Sequence, residues 1–83
     1  MERHISVKPW NVKPGDRYRC EVFPFESPDG SGFKTFTIRT VIKDRHFMTG
    51  ESCWTLYTEQ GATRGQDGRL GTYYRDQRVD VIR

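Results

Sequence analysis

Alanine is almost missing from this 83-residue chain: Ala62 stands alone, and alanine, leucine and methionine together number five. These residues form helices most readily, so their scarcity argues against a helical bundle. Long apolar runs are lacking too. No stretch approaches the length of a membrane-spanning helix, and no signal-peptide pattern opens the chain; a soluble, cytoplasmic protein is expected. Cysteine is sparse, with Cys20 and Cys53 far apart and no Cys-x-x-Cys pair. Adding His4 and His46 gives four potential zinc ligands, but their spacing fits no finger or knuckle. No metal site is expected, and both cysteines read as buried free thiols; a disulfide stays open if both side chains meet inside, though an intracellular home disfavours it.

Catalytic patterns are also missing. The glycines at 61, 65 and 68 are followed by no Gly-Lys-Ser/Thr, so 59–68 reads as a flexible connection rather than a phosphate cradle. No serine or cysteine sits in a nucleophile elbow. Asp44 and His46 make a conceivable general-base pair, yet two residues apart they read as a solvated loop. Neither an enzyme nor a cofactor is expected.

What the chain does hold is suited to sheets. Valine, isoleucine and threonine together number 18, beside eleven aromatics, eight glycines and four prolines. Branching at Cβ restricts χ1 in a helix but packs well on a pleated surface. Hydrophobic content is only 34% and charge reaches 30%, but disordered chains lack aromatic and β-branched residues. The composition predicts a folded, all-β chain, and the length allows one domain at most.

Periodicity places the strands. Residues 1–13 read as an extended lead-in, from which Trp10 folds back over one end of the core. Pro14-Gly15 fits the centre of a type II turn. Residues 16–23 alternate, with Tyr18, Cys20 and Val22 on one face. Residues 33–44 read as one long, bent strand with Phe36, Ile38, Thr40 and Ile42 inward. In 52–58, Trp54 and Leu56 oppose Cys53, Thr55 and Tyr57. In 69–74, Leu70, Thr72 and Tyr74 share the inner face, so Tyr73 is expected to face solvent. Residues 75–78 form a tight turn, and 79–82 close the sheet.

Five short strands, substantial loops and a tight turn before a brief last strand resemble a Src-homology-3-like small barrel, the architecture of Tudor-type and ribosomal-protein-type barrels. The entry segment Lys13-Pro14-Gly15-Asp16-Arg17-Tyr18 looks like the start of many of them. The resemblance covers 14–83 and implies a five-stranded, strongly bent antiparallel barrel. An oligonucleotide-binding barrel is the rival, though it needs longer strands and a helix.

Function is read from the outward positions. Arginine outnumbers lysine ten to four and the net charge is +3, which permits an anionic partner. Arg17, Arg19, Arg39, Lys43, Arg69 and Arg75 are expected on solvent faces, with Tyr57 and Tyr73 among them. Basic side chains between aromatic rings can neutralise phosphates and stack bases; a solvated face with Glu21, Asp76 and Asp80 as partners is the plainer account. Charge is also segmented: 24–33 and 51–63 are each net −2, and 34–50 is net +3. The expectation is a binding module docking an anionic surface, either nucleic acid or an acidic patch of a nucleic-acid-processing complex. The alternatives are a protein-interaction or inhibitor module, such as a phage or mobile-element accessory protein, and a small hydrolase or enzyme subunit.

Overall fold

Lys13–Asp16 makes the turn that its proline and glycine anticipate. The Asp16 N–H donates to the Lys13 carbonyl at 3.0 Å, and Gly15 takes φ +98°, the left-handed backbone that a type II turn needs at its third residue. The computed structural model describes residues 2–61, 63 and 67–83. Of the glycine-rich connection 59–68, residues 62 and 64–66 lie outside the described residues.

Among the described residues seven strands follow one another: β1 His4–Val7, β2 Arg17–Glu21, β3 Phe33–Thr37, β4 Thr40–Arg45, β5 Ser52–Tyr57, β6 Arg69–Tyr74 and β7 Val79–Ile82, with short 3-10 turns at Pro9–Asn11 and Pro24–Glu26. They form two antiparallel sheets, ordered β1-β7-β2-β3 and β4-β5-β6. The all-β expectation holds. The five-stranded closed barrel does not: among the described residues no ladder joins the two sheets. Two local causes account for the difference. The segment read as a lead-in contributes β1, which pairs with β7 from His4↔Ile82 to Val7↔Val79. The strand read as 33–44 breaks at Ile38–Arg39 and continues in the other sheet.

That break is held by backbone bonds. The Ile38 N–H donates to the Asp16 carbonyl and the Gly15 N–H donates to the Ile38 carbonyl, both at 2.8 Å, while the Arg39 N–H donates to the Tyr57 carbonyl at 2.8 Å. Ile38 therefore closes one sheet and Arg39 opens the next. The core lies between the sheets, built from Val12, Ile38, Leu56, Val79 and Val81, with Ile5, Val7, Tyr18, Val41, Leu70 and Tyr73 packed against it. Both sheets turn their inner faces to this core, so their outer faces point away from each other. At the chain ends Arg83 bonds Arg3 through both backbone groups, and its guanidinium forks onto the buried Asp16 carboxylate at 3.0 and 3.2 Å.

Candidate functional site

β5 sets the site. Its alternation puts Trp54 and Leu56 on the inner face, as the sequence predicts, and the ladder places Lys43 of β4 and Tyr73 of β6 opposite Trp54 on either side. Trp54 sits at the end of this face and is covered from outside by the Pro9–Asn11 turn. Proline fixes φ at the first position of that turn; Pro9 is fully buried, and the Trp10 ring lies 5.3 Å from the Trp54 ring at an interplanar angle of 50°. The expected fold-back of Trp10 is thus what the chain does. Trp54 is buried, whereas Trp10 keeps 47% of its surface exposed.

Two ammonium groups stand at these rings. Lys8 Nζ is 5.9 Å from the Trp10 centroid and Lys43 Nζ is 5.8 Å from that of Trp54, within the range of cation–π attraction. Among the described residues neither lysine forms an ion pair; the pairs there are Arg17–Glu2, Arg69–Asp67 and Arg83–Asp16. The result is a half-open indole with one un-neutralised ammonium over it, packed on a buried indole that carries a second.

The eight residues singled out from sequence do not share one face. Arg17 and Arg19 lie on the outer face of the first sheet. Arg17 is held by Glu2 at 2.6 Å, a hydrogen bond and charge that lower the Glu2 pKa. The Arg19 guanidinium covers the Phe33 ring at 4.4 Å, beside a hollow of about 240 Å³ also lined by His4 and Asp80. Tyr57 and Arg69 are cross-strand partners on the outer face of the second sheet, and Arg69 bonds Asp67. Arg39 is exposed at the corner between the sheets and Arg75 in the turn after β6. Lys43 alone joins the indole pair.

Tyr73 requires a correction. It packs on the core, because the β5–β6 register slips between Leu56 and Tyr57: Leu56 faces Gly71, and Tyr57 faces Arg69. Leu70 is the extra residue of a β-bulge, so Leu70 and Tyr73, three apart, both turn inward. The Tyr73 hydroxyl shares a hydrogen bond with that of Tyr18, and the rings meet edge to face at 6.3 Å. Lys8, Trp10 and Trp54 were not singled out as site residues; the signal was the Lys-Pro-Trp tripeptide, in which a proline presets the turn that carries an indole beside a lysine.

Burial, and then the bond to Tyr73, push the Tyr18 phenol above its ordinary pKa. Above about pH 10 an unfolded tyrosine loses its proton while Tyr18 in the fold keeps it. The unfolded state then binds fewer protons, so stability falls as pH rises. Below pH 10 the contribution is complete. Denaturation midpoints measured from pH 8 to 11 should decline at the alkaline end, and less steeply for Tyr18→Phe; identical slopes in the two proteins would contradict this account.

Asp44 and His46 are occupied locally. His46 Nδ1 accepts the Met48 N–H at 3.2 Å, and Asp44 accepts the Arg45 N–H at 2.8 Å. Both cysteines are free, and burial raises the Cys20 pKa. Among the described residues no cluster of three potential ligands is placed to hold a metal, and no helix is long and apolar enough to cross a membrane. A cavity of about 600 Å³ opens between β2–β3 and the start of β6, floored by Cys20, Val22, Phe36 and Leu70. Compared with protein-family models, with curated proteins and with solved structures, the chain matches none.

Proposed function

We propose that this chain is a non-enzymatic binding module that docks an anionic surface, with nucleic acid as the partner. The observation that carries the reading is the pair of un-neutralised lysines, Lys8 and Lys43, standing at the half-exposed Trp10 and its backing Trp54. Positive charge kept free of carboxylates is available to phosphate. Indole beside it is available for contacts that water does not make well. The net charge of +3 adds a weak general attraction. The sheet order supports the Src-homology-3-like resemblance at the level of connectivity: β2, the bent β3–β4 pair, β5, β6 and β7 follow one another as such a barrel's strands do, with β1 added at one edge. On scaffolds of this kind, loops and strand ends carry recognition while the sheets hold them in place.

The salt dependence of binding tests the reading. On a single strand each phosphate neutralised contributes about −0.7 to the slope of log K against log[salt]. Two lysine contacts therefore predict a loss of about seven-fold in affinity for a short oligonucleotide between 50 and 200 mM salt. Fluorescence anisotropy across that range measures it. No binding of oligonucleotide at low salt, or binding that salt leaves unchanged, would overturn the proposal.

A second reading has its own support. Phe25, Phe47 and Met48 project from loops as strongly exposed apolar side chains, and Phe25 stacks on Phe23 at 5.6 Å. Exposed large apolar groups mark protein contacts, which favours a protein-interaction or inhibitor module if the oligonucleotide fails.

A further inference from the structure

We propose that Trp10 is a stacking platform for an unpaired base, so that the ligand of this face is single-stranded nucleic acid. The proposal rests on the anionic-docking reading and specifies its partner. In a duplex the base faces are covered by their neighbours; phosphates and groove edges are what a protein can reach. A flat, half-exposed indole finds no open base face there unless the duplex is first unstacked. It matches the free face of an unstacked base, and base–aromatic stacking is tolerant of sequence because every base has such a face.

The geometry prepares Trp10 for this contact. The buried Pro9 fixes the turn, and Trp54 backs the indole at 5.3 Å. The ring is held before any ligand arrives, so binding loses less side-chain freedom. Lys8 Nζ stands over the Trp10 ring at 5.9 Å and Lys43 Nζ over the Trp54 ring at 5.8 Å; at the outer limit of a cation–π contact, the flexible Lys8 side chain swings off the indole to a phosphate when a base takes the ring face. The other exposed ring with a cation beside it differs in this respect. Phe33 is covered by the broad guanidinium of Arg19 at 4.4 Å, 1.5 Å closer than the Lys8 ammonium stands to Trp10, and so offers less room for a base. An acidic peptide would satisfy the lysines but leave the indole without a partner. The charge favours an anion, and the open indole favours one that carries aromatic faces.

The experiment compares three polyanions at equal salt: a single-stranded 12-mer, the duplex of the same sequence, and heparin, which has charge without bases. The single strand is expected to bind about ten-fold tighter than the duplex and to quench indole fluorescence; heparin should bind without quenching. Trp10→Ala should weaken the single strand roughly five- to 150-fold, the value of one stacked base, and leave heparin within about two-fold. Lys8→Gln with Lys43→Gln should weaken all three ligands and lower the single-strand salt slope by about 1.4. If Trp10→Ala fails to fold, quenching of the unaltered protein decides the matter, and Trp10→Phe should bind the single strand more tightly than Trp10→Leu. Equal binding of all three polyanions with unchanged fluorescence would overturn the stacking proposal and leave anionic docking standing. Failure of all three to bind would overturn both.

Discussion

Replacing Ile38 with alanine is expected to destabilise the fold by about 2–5 kcal/mol, while Ile42→Ala should cost about 1 kcal/mol or less. The two residues are chemically identical and four apart, and simple alternation puts them on one face. In the structure Ile38 has 0% of its surface exposed and Ile42 has 50%. Truncating Ile38 removes its transfer free energy and leaves a void among Val12, Leu56, Val79 and Val81, which the surrounding strands can fill only partly. Ile42 stands on the outer face of β4, where half of its side chain is already in water. A chain of this length has a total stability of about 4–12 kcal/mol, so the loss at Ile38 is a large share of it and readily measured. Urea denaturation of both variants provides the comparison. Equal losses at the two positions would mean that the strand runs straight and that the corner at Ile38–Arg39 is misplaced.

The same comparison shows what the sequence made legible. Where β-branched and aromatic residues alternate, boundaries are readable: 69–74 and 79–82 are strands β6 and β7 to the residue; face is readable only where the ladder is regular, as in β5, where Leu56 is buried opposite the outward Thr55. The errors arise where the period-two count is carried through an irregularity. From Ile38 the next inward residue is Val41, because the chain changes sheets between them. From Leu70 the next is Tyr73, because of the bulge opposite Leu56–Tyr57. Each defect adds one residue and exchanges the two faces beyond it. Neither leaves a proline or an odd charge to mark it; the bulge has only Gly71, whose missing side chain leaves room for the Tyr73 ring at 3.4 Å and the Tyr18 hydroxyl at 3.7 Å.

The candidate site was less legible for a different reason. An outward position in a strand predicts contact with water but not which of two outer faces it joins. Arg17 and Arg19 therefore separated from Tyr57 and Arg69 once the sheets packed back to back. The face that combines open indole and free ammonium draws on residues 8 and 10 from a turn and 43 and 54 from two strands. Local pattern supplies the pieces, and only the packing of the turn on β5 brings them together.

Gly68→Ala is expected to cost about 2–5 kcal/mol, although the substitution adds a single methyl group. Two effects combine. Gly68 has φ +78°, a conformation that costs an L-residue with a side chain about 1–2 kcal/mol. A Cβ there would also lie 2.6 Å from the Thr58 carbonyl oxygen and 3.0 Å from that of Glu59. Both are backbone atoms and cannot swing aside. The obstruction falls on a contact the fold uses, since the Thr58 N–H donates to the Gly68 carbonyl at 2.8 Å and brings the chain back beside β5. Gly15→Ala separates the two effects. Its φ is +98°, yet nothing lies within 4 Å of the added carbon, so only the conformational cost of about 1–2 kcal/mol applies. Denaturation midpoints should therefore fall further for Gly68→Ala than for Gly15→Ala; equal shifts would remove the steric term. Gly68 also sets where β6 starts, one residue before the bulge that turns Tyr73 inward beside Trp54. Displacing it moves the strand that supports the inner side of the indole pair, so Gly68→Ala should change tryptophan fluorescence in the folded protein where Gly15→Ala does not.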